Sequence, residues 1–136
     1  MSKQVFINLP VKDLNQSMDF FKKLGFAFNP QFTNEQGACM IIDENHIYAM
    51  LITHELYKTF ISKEVADATK TSEVIVSLNC ATREEVESMI NSAIAAGAVE
   101  QKSQDLGWMY QKGFLDLDGH HWEAFFMDPS AMPQQA

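Results

Sequence analysis

Arginine is almost missing from this chain: Arg83 stands alone beside nine lysines, against eighteen acidic residues and a formal net charge of −8. A polyanion is held by a basic patch that releases its counterions, so this balance argues against a nucleic-acid partner. Bidentate capture of carboxylate or phosphate falls mostly to arginine, which weighs against a cleft built for a strongly anionic ligand. Cysteine is equally scarce. Cys39 and Cys80 form neither a CxxC pair nor a framework, and read as reduced, packed thiols. No apolar run approaches the roughly 20 residues needed to span a membrane. The opening Met1-Ser2-Lys3-Gln4-Val5 enters a strand directly, with no apolar leader segment. A cytoplasmic location without a membrane partner is the expectation.

What is present is a pattern stated twice. At 136 residues the chain is long enough for one real core. Val5 to Leu9 reads as a strand ending at Pro10 or just after it. Asp13 and Gln16 then form a capping-box pair, Leu14, Met18, Phe21 and Leu24 follow at helical spacing, and Gly25 stands at the C′ position. Strands are expected over 26–32, 38–42 and 46–52. After a connection with a short amphipathic helix, a strand carrying Val74, Val76 and Leu78 opens the second copy. Thr82 and Glu85 make its capping box, Val86, Met89, Ile90, Ala93 and Ile94 its apolar helix face, and Gly97 its stop. Strands are expected over 98–103, 108–115 and 120–127. The reading is a single α+β domain over 1–136, built of two βαβββ modules that form a curved half-barrel cleft. Module 1 spans about 4–52, the connection about 53–71, module 2 about 72–127, and a fraying tail 128–136.

Leu9-Pro10-Val11-Lys12-Asp13-Leu14-Asn15-Gln16-Ser17-Met18-Asp19-Phe20-Phe21, followed by Leu24-Gly25-Phe26, resembles the opening of vicinal-oxygen-chelate proteins. That superfamily includes glyoxalase I, bleomycin-resistance proteins and extradiol dioxygenases. Phe114-Leu115-Asp116-Leu117-Asp118-Gly119-His120-His121-Trp122-Glu123 resembles its closing strand. The resemblance spans nearly the whole chain and is specific for the superfamily rather than for one member. It implies four metal-ligand positions, which fall on Phe6, near Met50, on Glu73 and on Glu123. Two of these are apolar. His121 shares a strand face with Glu123, since the strand period is two, and is the candidate to fill the deficit.

The candidate metal set is therefore Glu73, Glu123 and His121, with Glu123 also the candidate catalytic carboxylate. A catalytic Zn²⁺ or Fe²⁺ site normally has three or more imidazole, thiolate or carboxylate ligands. Phe6, Asn8, Met50 and Trp122 are candidate ligand-binding residues, with Trp108 and Tyr110 as further stacking surface. Arg83, in the first turn of the second helix, is expected to be solvated. Two functions compete. One is a glyoxalase/bleomycin-resistance-type protein with an incomplete metal site that binds a neutral, partly aromatic small molecule. The other is a divalent-metal-dependent lyase, isomerase or dioxygenase using Glu73 and Glu123. Glyoxalase I activity on a glutathione adduct fits poorly, because two ligand positions are missing and one arginine makes a poor clamp. No organic cofactor is called for, and the resemblance implies a homodimer.

Overall fold

The computed structural model describes residues 2–133, which divide into two compact units at residues 67 and 68. In the first unit the order is β1 (Val5–Val11), α1 (Leu14–Lys23), β2 (Ala27–Asn29), β3 (Gly37–Asp43), β4 (Ile47–Thr53) and a one-turn helix α2 (His54–Tyr57). Its sheet runs β1-β4-β3-β2, with β1 parallel to β4 and the other pairs antiparallel. The second unit repeats the plan with β5 (Ile75–Asn79), α3 (Arg83–Ala95), β6 (Val99–Glu100), β7 (Gln104–Asp105), β8 (Met109–Leu115) and β9 (His121–Met127). Its sheet runs β5-β9-β8-β6, again with the first and last strands parallel, and β7 adds to β8.

Local chemistry explains why these elements stand where they do. Asp13 caps α1 by accepting from Gln16 N at 3.1 Å, and Gly25, at φ +101°, ends it. Thr82 caps α3 by accepting from Glu85 N at 3.1 Å. The Glu85 carboxylate returns to Ala81 N at 2.7 Å, one residue earlier than a capping box requires. Period two along the strands then separates two faces. In the first unit Leu9, Val11, Met40, Ala49 and Leu51 are buried on the side of Leu14, Phe20 and Phe21 of α1. In the second, Phe114, Trp122 and Ala124 are buried on the side of Val86, Ile90 and Ala93 of α3. Burying each large side chain is worth about 1.5–3 kcal/mol, so these helix-covered faces hold each unit together. The opposite faces turn away from the helices, and in the first unit that face also buries Cys39, Tyr48 and Ile52.

Several expectations change. The strand expected over 26–32 stops at Asn29, because Pro30 begins a 3₁₀ turn that the Asn29 side chain caps through Gln31 N at 3.0 Å. The strand expected over 98–103 is only Val99–Glu100. Lys102 and Ser103 leave the ladder before Gln104 rejoins it. Asp128 accepts from Ser130 N at 3.0 Å and starts a short 3₁₀ turn over Pro129–Ala131, and the rest of the tail, from Gln134, lies outside the described residues. Both cysteines are free and buried, and burial pushes their thiol pKa values up.

Candidate functional site

The polar centre of the second unit is Glu123, on the middle of β9 and on the face that α3 does not cover. Parallel register sets Ser77 of β5 beside it, and antiparallel register sets Gly113 of β8 on the other side. Ser77 Oγ donates to Glu123 Oε1 at 2.7 Å, and Gln111 Nε2 donates to Glu123 Oε2. Both carboxylate oxygens are therefore held by neutral donors. Gln111 reaches Glu123 diagonally across the ladder, two residues from Gly113, the direct partner of Glu123. A Cβ on Gly113 would meet His121 Nε2 at 3.1 Å and Trp122 O at 3.3 Å. His121 stands on the same face as Glu123. Together with Gln101, Lys102, Ser103, Gln104 and Gln111 these two line an open cavity of about 500 Å³.

Gln111 is fixed from behind by its strand neighbours, which point to the helix side. Tyr110 Oη and Lys112 Nζ both donate to Glu87 of α3, the lysine at 3.1 Å. The tyrosine bond and then the lysine bond lower the Glu87 pKa. Arg83 is solvent-accessible as expected, with its side chain 38% exposed, but it is also held in place. It grips Asp105 through two 3.0 Å hydrogen bonds, donates to Gly107 O at 3.1 Å and lies 4.8 Å over the Tyr110 ring. That hydrogen bonding, led by Arg83, lowers the Asp105 pKa to about 2. The chain's one guanidinium is thus paired with a carboxylate of its own chain, at the surface.

Asp116 governs the turn that launches β9, a role the sequence reading did not assign. It is 6% exposed and accepts from Trp122 Nε1 at 2.9 Å, Asp118 N at 2.9 Å and His120 N at 3.0 Å. Burial raises its pKa, against opposing pulls from His120 and the N–H donors. Gly119 completes the turn at φ +86°, where a Cβ would stand 2.8 Å from the Ala68 carbonyl group. Its spacing, Asp-x-Asp-Gly with Trp six residues after the first Asp, was the available signal.

The candidates named from sequence separate as follows. Trp122 is corrected: it is 1% exposed, on the α3 side of β9, with its indole N–H bonded to Asp116. An even-numbered residue next to Glu123 must face the other way. Tyr110 is likewise on the helix side. Glu73 is exposed, lies two residues before β5, and does not line the Glu123 cavity. The ladder shows why. Asn8 pairs with Met50 as Ser77 pairs with Glu123, so the repeat partner of Phe6 is Ile75, not Glu73. Phe6, Asn8 and Met50 occupy the face of the first sheet turned away from α1, where the half-exposed Phe6 ring stacks on Tyr48 with centroids 4.8 Å apart. Among the described residues no group of three His, Cys, Asp or Glu is placed to hold a metal ion. No described helix is long and apolar enough to cross a membrane.

Two sheets of matching βαβββ ladder, each with one helix-covered face, define a protein of the glyoxalase-like fold. Residues 3–42 match the family model described as bleomycin resistance protein-like N-terminal. A hypothetical protein from S. aureus has the same fold, with a TM-score of 0.76 and 29% identity over 93% of this chain and 95% of that one. A glyoxalase-related enzyme from Fulvimarina pelagi aligns at a TM-score of 0.77 and 19% identity, over 100% of this chain and 94% of its own. A mutant of the fosfomycin resistance protein FosX from Listeria monocytogenes, complexed with Mn(II) and 1S,2S-dihydroxypropylphosphonic acid, aligns at 0.67 and 16%, over 94% and 90%. No curated protein gives a significant match. The resemblance to the vicinal oxygen chelate superfamily is thereby borne out.

Proposed function

We propose that this is a glyoxalase/bleomycin-resistance-type protein that binds a neutral small molecule, receiving the ligand's polar end at Glu123. The observation that carries the reading is that both Glu123 oxygens accept from neutral donors, Ser77 and Gln111. A carboxylate held this way is fixed in direction and keeps lone pairs for ligand O–H or N–H groups. Lys102 and Glu123 offset each other in the cavity, and Gln101, Ser103, Gln104 and Gln111 are uncharged, which suits a ligand without net charge. Its volume lies within the usual range for small-molecule sites, about 300–1,000 Å³. On the first unit, Phe6 offers stacking surface for an aromatic group. The reading further takes the protein as a cytoplasmic homodimer. β1 and β5 are both sheet edges, and pairing between copies is one way to cover them. Sedimentation showing only monomer would remove that part.

A divalent metal fits poorly. Phe6, Met50 and Ile75 offer no ligand atoms of the needed kind, and Glu123 with His121 makes two donors where three are usual. The metal-dependent alternative, a lyase, isomerase or dioxygenase, draws its support from the Mn(II)-bound FosX of the same fold. Calorimetric titration of Mn²⁺, Ni²⁺, Zn²⁺ and Fe²⁺ into chelator-treated protein separates the two. The proposal expects no binding tighter than the millimolar range. Near-stoichiometric binding that disappears in Glu123→Ala would overturn it in favour of the enzyme. A thermal-shift screen of uncharged hydroxylated aromatics gives the positive arm. Hits should lose their effect in Gln111→Ala and Glu123→Gln, and hits that survive both changes place the ligand elsewhere.

A further inference from the structure

The connection after β4 builds a second concavity, on the first unit alone. Lys58 N donates to His54 O at 3.0 Å, closing the single turn of α2 and setting His54 and Lys58 on one side of it. Thr59 N and Phe60 N then bond back to Leu56 O and Tyr57 O, both at 3.0 Å, and reverse the chain. The returning stretch Ser62-Lys63-Glu64-Val65 closes, with His54 and Lys58, an open cavity of about 590 Å³.

The charge of this cavity runs against that of the chain. Lys58 and Lys63 are exposed and, like Lys3, Lys23, Lys70 and Lys102, make no ion pair among the described residues. Lys112 and Arg83, by contrast, are matched to Glu87 and Asp105. Lys58, Lys63, His54 and Ser62 line one open space, with Glu64 as its single carboxylate. Each ammonium carries three donors and no acceptor, so the site calls for several acceptor oxygens on a compact charge. Lysine serves phosphate as a point charge without needing the planar fork of arginine. The volume exceeds what a bare oxyanion fills, and Val65 gives the remainder an apolar wall.

We propose that this cavity binds a small phosphate monoester, with Lys58 and Lys63 holding the phosphate and His54 and Ser62 donating to its oxygens. The site is separate from the one around Glu123 and does not depend on it. The test titrates inorganic phosphate, and then phenyl phosphate, into isotope-labelled full-length protein, following backbone amide shifts. Shifts should concentrate over residues 53–65. Lys58→Gln/Lys63→Gln should weaken binding at least tenfold with an unchanged melting temperature, and Glu64→Gln should strengthen it. Phenyl phosphate should bind more tightly than inorganic phosphate if the remaining volume is used. Shifts spread equally over Lys22, Lys23 and Lys102, or binding unchanged in the double variant, would overturn the proposal.

Discussion

Replacing Asp116 by alanine tests whether one buried carboxylate organises the strand that carries Glu123. The substitution strands the Trp122 indole N–H, in a residue 1% exposed, with no acceptor. An unsatisfied buried donor costs roughly 1–3 kcal/mol. The part-buried amides of Asp118 and His120 lose their acceptor as well, but water can reach them. They add about 0.5–1.5 kcal/mol each at most. Against this, the variant no longer has to desolvate a carboxylate, whose burial already raises its pKa. The net expectation is a loss of about 2–4 kcal/mol. At roughly 3–5 °C per kcal/mol for a chain of this size, the melting temperature falls by about 10 °C. The assay is thermal unfolding followed by tryptophan fluorescence and circular dichroism, in a cycle with Trp122→Phe. Phenylalanine removes the donor, so Asp116→Ala should cost at least about 1 kcal/mol less in that background. A loss below about 1 kcal/mol, or strict additivity of the two changes, would refute the argument.

Gly119→Ala should destabilise by about 2–3 kcal/mol, combining a left-handed alanine with a Cβ 2.8 Å from the backbone of Ala68. Gly25→Ala is the matched control, because its φ is +101° but nothing lies within 4 Å. Equal losses on chemical denaturation would show that the contact with Ala68 costs nothing. The Asp105 pKa is lowered to about 2, mainly by Arg83, so its contribution is complete above the unfolded value near 3.9. It is then lost as pH falls from about 4 toward about 2. Melting temperatures from pH 5 to pH 2.5 should fall less steeply in Asp105→Asn than in the parent, and parallel curves would contradict the assignment.

Much of the fold is legible because local signals and the hydrophobic period agree. Asp13 with Gln16, Thr82 with Glu85, and the stops at Gly25 and Gly97 each predict a helix end that the structure places there. What escapes is what only strand pairing decides. Glu73 and Ile75 lie on the same face by parity, so a slip of two residues leaves the alternation intact and cannot be seen in the pattern. The ladder settles it by setting Ser77, not Ile75, against Glu123. Gln111 was missed for a related reason. Its contact with Glu123 is diagonal across the β8–β9 pairing, a long-range fact that the local sequence does not carry. The break after Glu100 escaped because Gln101-Lys102-Ser103 carries no proline or glycine to announce it, yet that departure forms part of the cavity wall.

The two units show which positions the scaffold constrains and which it leaves to chemistry. Each has a buried apolar row under its helix: Ala49 and Leu51 in one, Trp122 and Ala124 in the other. The residues between those rows face the other way and bear no packing duty toward the helix. There the repeats diverge, Asn8 with Met50 in the first unit and Ser77 with Glu123 in the second, at matching places in the same parallel ladder. An isolated carboxylate in the middle of a sheet would be a liability without partners. Ser77 and Gln111 are the partners it has here. Two neighbouring strands, β5 and β8, thus each supply a neutral donor to Glu123. Packing toward the helix places no demand on the side chains at 77 and 111, and both residues found there donate to Glu123.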